Sequence, residues 1–163
     1  NDASNVNMNI ARQAIELVNP LTVSRSAGDA LKKGWIRKSD TICMNSEHLL
    51  SLGKKKVLEL SDNGYQPPNY RDDLTLPGTA LRTMASVVTK GMKVAGKISD
   101  HDELVASKSA YVLSGGDKGG LMSKVDEQHV LDIEREAFMS LAGEKKTQQR
   151  IAHFLKTGKP LRN

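Results

Sequence analysis

At 163 residues, with 38% hydrophobic and 26% charged side chains, the chain is long enough to bury a core and too apolar to be disordered. Its single cysteine, Cys43, excludes an internal disulfide, and no apolar run approaches the roughly 18 residues of a membrane span. A net charge of +5 permits an anionic partner without demanding one, and aromatics at 4% leave the core to Leu, Val, Ile, Ala and Met.

The opening "NDASNVNMNI" has neither a basic nor an apolar signal-peptide region and no initiator methionine, which reads as a fragment or a processed chain. Val6, Ile10, Ala14 and Leu17 then recur at helical spacing over residues 4–18, and Asn19-Pro20 ends the run. In "SAGDALKKG", Ser26 is placed to cap a short helix, with Asp29 three residues on and Gly34 as its stop. "SDTICMN" is the one strand candidate. Asn45 then caps a longer helix to about Asn63, with Leu49, Leu50, Val57, Leu58 and Leu60 as its apolar side. Pro67-Pro68 forces an extended loop and marks an internal boundary.

Beyond it, helices are expected from Thr79 to Ala95 and, capped by Ser99 with Asp102, on to Ser114. Ser123 with Asp126 repeats that cap spacing before a helix whose Val130, Ile133, Ala137 and Leu141 share one face. A last helix over 145–157 is expected to turn Ile151, Phe154 and Leu155 inward. The fold class is all-α: a bundle of about six to seven short helices with at most one short strand-like segment.

Chemistry is harder to find. "LSGGDKGGLMSK" is glycine-rich but follows a helix and matches neither phosphate-loop spacing, so it reads as a connector. Asp100, His101, Asp102 and Glu103 are adjacent on a helix and point in different directions, which does not make a metal site. His48, His129 and His153 have no ligand partner four residues on, and Glu134, Arg135 and Glu136 read as a solvated face. No nucleophile motif occurs, and Cys43 has no His/Asn signature nearby. At the end of the chain, Gly158 and Pro160 stop the last helix and Lys156 faces its negative pole, whereas Lys159 and Arg162 have no such structural role.

Three stretches carry a family resemblance: "VSRSAGDALKKGWIRKSDTICMNSEHLLSLGKKKVLELSDNGYQPP", "ISDHDELVASKSAYVLSGGD" and "VDEQHVLDIEREAFMSLAGEKKTQQRIAHFLKTGKPLRN". They resemble the C-terminal end of the large bacterial 3-hydroxyacyl-CoA dehydrogenases of fatty-acid β-oxidation that carry an enoyl-CoA hydratase (crotonase-like) portion. Gly28 and the "DKGGLMSK" loop depart from the pattern. The resemblance implies that residues 1–66 are the helical end of a crotonase-like domain and residues 67–163 a C-terminal helical extension. It implies an enzyme as the intact protein, using NAD and acyl-CoA. This stretch by itself would hold no catalytic residue and no cofactor.

Its role would be to pack on the hydratase core of its own polypeptide and support homo-oligomer assembly in the cytoplasm. Apolar faces around Trp35, Leu49 and Leu50, and along residues 126–142, would then be open in this chain and covered in the whole protein. Lys156, Lys159 and Arg162 are the candidate contacts to CoA phosphates. The alternative is a basic helical module for nucleic acid or for oligomerisation. Nucleic acid is disfavoured by lysines that alternate with acids and by the scarcity of stacking aromatics.

Overall fold

The computed structural model describes residues 23–163, and among them the fold is all-α, with six helices and one isolated β-bridge. The helix expected over residues 4–18 lies outside the described residues. The described residues divide into two compact units on either side of the Asn69–Tyr70 bond, in the loop that Pro67 and Pro68 keep extended.

The first unit holds α1 (Ala27–Lys32) and α2 (Leu49–Asp62), the latter continuing from a 3₁₀ turn, Ser46–His48. Ser26 caps α1 by accepting the Asp29 N–H at 3.1 Å, and the Asp29 carboxylate accepts from the Arg25 N–H and from Lys33. The capping-box spacing therefore closes on Arg25 rather than on Ser26. Asn45 caps the 3₁₀ turn through Glu47, and Gly64 follows the end of α2 with φ +69°. "SDTICMN" is not a strand. It runs irregularly into the Asn45 cap, and no described segment pairs with it. Ala30 is the one buried hydrophobic residue of this unit among those described; α2 buries none.

The second unit holds α3 (Thr79–Val94), α4 (Asp100–Leu113), α5 (Glu127–Ala142) and α6 (Lys145–Thr157), with each helix packed on the next. Its core is small and alanine-rich: Leu81 at 0% exposure and Val125 at 1%, with Ala85, Ala106, Ala110, Ile133 and Ala137 around them. Small side chains let α3 and α4 approach closely, which compensates for the absence of aromatic bulk. α4 begins with a full capping box. Ser99 Oγ accepts the Asp102 N–H at 3.2 Å, and Asp102 accepts the Ser99 N–H at 3.0 Å.

Ser123 does not cap α5. Val125 is drawn into an antiparallel bridge with Leu74, and the Glu127 N–H donates to the Arg71 carbonyl, so the helix starts later and Asp126 caps it through His129. On α5 the expected stripe holds: Ile133 and Ala137 are buried, Val130 and Leu141 half-buried.

α6 is turned the other way from expectation. Ile151, Phe154 and Leu155 are exposed, Leu155 at 80%. The side chains of α6 that do reach the rest of the unit are polar: His101 Nε2 meets Thr147 Oγ1 at 2.9 Å and Arg150 meets Asp102 at 2.8 Å.

Candidate functional site

The glycine-rich loop after α4 is neither a phosphate cradle nor a slack connector. Gly115 and Gly116 both take positive φ, and the Gly78 N–H donates to the Ser114 carbonyl at 3.1 Å, fastening the loop to the start of α3. A Cβ on Gly119 would collide with the Ser114 carbonyl, and one on Gly78 with the Gly119 carbonyl. These two glycines are needed because backbone packs directly on backbone. The loop also carries a carboxylate of its own. Asp117 pairs with Arg82 at 3.0 Å and accepts from the Tyr111 hydroxyl at 3.3 Å, while the Arg82 guanidinium lies 5.5 Å from the Tyr111 ring centroid. Burial first, and then the neighbouring carboxylate, raise the Tyr111 phenol above its ordinary range.

The "SDHDEL" acids part company as expected. Asp100 and Glu103 both hold Lys93 at 2.8 Å, whereas Asp102 turns to Arg150 and Ser99. Hydrogen bonds to Asp100 and then to Glu103 raise the Lys93 ammonium well above the lysine range. His101 is buried against Thr147, and burial, reinforced by the Arg150 charge, lowers its pKa. Burial alone would raise Asp102, but the Ser99 N–H, the Arg150 guanidinium and the Ser99 hydroxyl outweigh it and lower the carboxyl. Among the described residues no group of three or more His, Cys, Asp or Glu side chains converges as a metal site would require. Glu134, Arg135 and Glu136 are exposed, with Arg135 paired to Asp132 at 2.7 Å. Cys43 donates to the Asn45 carbonyl.

Of the basic ending, Arg150 is committed inside the unit. It holds Asp102, the Asn163 side chain at 2.8 Å and the Asn163 main-chain oxygen at 3.3 Å, which folds the last residues back along α6. Lys156, Lys159 and Arg162 are exposed. Lys156 sits in the last turn of α6, and Lys159 follows the left-handed Gly158, its N–H donating to Thr157 Oγ1 at 3.2 Å. Sequence reasoning missed the His101–Thr147 and Asp102–Arg150–Asn163 contacts. The partners of Thr147 and Arg150 on α4 lie about half a unit away along the chain, for which no local pattern exists.

A hollow of about 220 Å³ between α3 and α4 is lined by Arg82, Thr89, Glu103 and Tyr111 over an alanine floor. Its charged groups are already paired within the unit, at Asp117 for Arg82 and Lys93 for Glu103. The more telling feature is α2. Leu49, Leu50, Leu52, Val57, Leu58 and Leu60 are all exposed, Leu50 at 86%, and the hollow beside Leu58 has walls from that helix alone. Trp35 is exposed as well, its ring 5.5 Å from the Lys33 ammonium. Exposed apolar faces of this kind commonly mark interaction sites.

The chain is 40% identical over 156 residues to a probable 3-hydroxyacyl-CoA dehydrogenase of Bacillus subtilis (strain 168), an alignment that takes in 96% of this chain and 20% of that protein. It is therefore homologous to a segment of that bacterial protein and spans about a fifth of its length. No family model matches the chain, and no solved structure matches it. No described helix is long and apolar enough to cross a membrane.

Proposed function

We propose that this chain is a non-catalytic helical packing module of a larger 3-hydroxyacyl-CoA dehydrogenase-type polypeptide, covering the catalytic portion of that polypeptide and supporting its assembly. The observation that carries the proposal is α2, a 14-residue helix with no buried residue and six large apolar side chains in solvent. A helix of that length is marginal in water without a packed face. In support of this reading, four-fifths of the homologous protein lies outside the match, a body large enough to supply the missing side.

In finer detail, the body that α2 and Trp35 meet is an enoyl-CoA hydratase (crotonase-like) core, residues 1–66 forming its helical end and 67–163 an extension. The intact protein hydrates a 2-enoyl-CoA and passes hydride from the 3-hydroxyacyl-CoA to NAD in the cytoplasm. Lys156, Lys159 and Arg162, exposed on the final segment, suit the phosphates of CoA. The test is Leu50→Asp with Val57→Asp in the full-length protein. Each side chain is worth about 1.5–3 kcal/mol if the rest of the polypeptide buries it. A fall in the melting temperature with loss of hydratase activity is expected. An unchanged melting temperature would overturn the proposal.

A further inference from the structure

Asn63 is the only asparagine of the chain followed by glycine, and the pair Asn63-Gly64 lies exposed at the C-terminal end of α2. The two residues close a Schellman turn. Gly64 takes φ +69°, its N–H donates to the Ser61 carbonyl at 3.0 Å, and the Tyr65 N–H donates to the Leu60 carbonyl at 2.9 Å. The Asn63 side-chain amide donates to the Glu59 carbonyl at 2.7 Å. While the turn is closed, these bonds keep the Gly64 nitrogen and the Asn63 Cγ apart. The turn has little else to hold it: every residue from Ser61 to Asn69 is exposed, and a Cβ on Gly64 would meet nothing within 4 Å. A helix end without buried side chains frays at little free-energy cost.

We infer that Asn63 is a site of spontaneous modification, deamidating through a cyclic imide each time this last turn opens. The Gly64 main-chain nitrogen loses its proton to solvent base and attacks Asn63 Cγ. The new N–Cγ bond closes the imide, the Cγ–Nδ2 bond breaks, and the side-chain nitrogen takes up a proton and leaves as ammonia. Glycine permits the attack because it has no Cβ to obstruct the approach to its nitrogen. Water then opens the ring at either carbonyl and gives aspartate or isoaspartate, with no change of oxidation state. Either product undoes the turn. Aspartate sets a carboxylate against the Glu59 carbonyl to which the amide had donated, at the negative pole of α2 and beside Asp62. Isoaspartate adds one carbon to the main chain before Gly64, which draws the Gly64 and Tyr65 N–H groups off their carbonyls. The end of α2 thus carries a one-way loosening step. It requires only the turn beyond Leu60 to open and does not depend on what covers the apolar side of the helix.

The test incubates the folded full-length protein in mildly alkaline buffer beside a synthetic peptide of residues 61–66. Tryptic fragment 57–71 is followed by mass spectrometry, with electron-transfer fragmentation to tell aspartate from isoaspartate. Asn63 should convert to both products at a rate within about ten-fold of the free peptide's, because the turn opens readily. Asn69, in the same fragment but followed by Tyr70, should stay intact and serves as the internal control. Gly64→Ala should slow the conversion by at least about ten-fold, since the added Cβ crowds the attacking nitrogen. A conversion in the unaltered protein slower than that ten-fold margin would mean that the turn stays shut, and the inference would fall. Equal conversion at Asn69, or an unslowed Gly64→Ala variant, would also overturn it.

Discussion

Replacing Gly78 with alanine should destabilise the second unit far more than a one-carbon change on a surface normally does. Gly78 has φ +60° and ψ −140°, a backbone region that side-chain-bearing residues occupy at a cost of about 1–3 kcal/mol. The added Cβ would also collide with the Gly119 carbonyl oxygen and lie 2.8 Å from its carbon and 2.9 Å from Gly120 Cα. These are backbone atoms of a loop fixed by the Gly78–Ser114 hydrogen bond, so they cannot rotate aside, and overpacking of this kind costs about 1–3 kcal/mol more. A total near 3 kcal/mol corresponds to a fall of about 12–24 °C in the melting temperature of a unit this size. Gly91→Ala is the internal control. Gly91 lies within α3, is exposed and has nothing within 4 Å of the added carbon, so the substitution should stabilise by about 0.5–1 kcal/mol. Thermal and urea unfolding followed by circular dichroism measures both. A Gly78→Ala change within about 0.5 kcal/mol of the parent would refute the reading of this loop as rigid backbone-on-backbone packing.

Two further outcomes follow from the seating of α6. His101 is held neutral by burial and by the Arg150 charge, with Lys146 also disfavouring protonation and Glu144 and Asp102 favouring it. A histidine whose pKa is lowered by folding contributes stability that is fully present above its ordinary value of about 6.5 and is lost as pH falls below it. Urea midpoints should therefore drop between about pH 6.5 and 5, and His101→Gln should flatten that slope; an equal slope in the variant would contradict the assignment. Arg150→Ala removes the partner of a half-buried carboxylate and the anchor of Asn163, so it should cost about 1–2 kcal/mol and speed amide exchange in α6 selectively. Arg150→Lys should recover only part of this, because a single ammonium cannot span Asp102 and both Asn163 groups.

The helix boundaries were legible because their signals are local. Ser26, Ser99 and Gly158 act where capping chemistry places them, Asn45 caps the 3₁₀ turn that leads into α2 rather than α2 itself, and the Ile133–Ala137 stripe of α5 faces the core its spacing predicts. What could not be read depended on distant partners. Leu74 captures Val125 and moves the start of α5, so that Asp126 and not Ser123 becomes the cap. Thr147 and Arg150 find His101 and Asp102, while Ile151, Phe154 and Leu155 stay exposed. For function, periodicity identified the apolar side of α2 and the family resemblance implied that it would lie open in this chain, whereas the glycine loop showed its packing role only once Gly78 and Gly119 were seen to touch.

The most direct test of the packing role is amide hydrogen exchange over residues 49–62 in the full-length protein. If the remainder of the polypeptide seats on α2, the amides of Leu50 through Leu60 should exchange with the protection of a core helix, and Leu50→Asp with Val57→Asp should abolish that protection. Exchange within seconds in the unaltered full-length protein would mean that the helix stays open to water, and the account of this chain as a cover for a larger catalytic body would be contradicted.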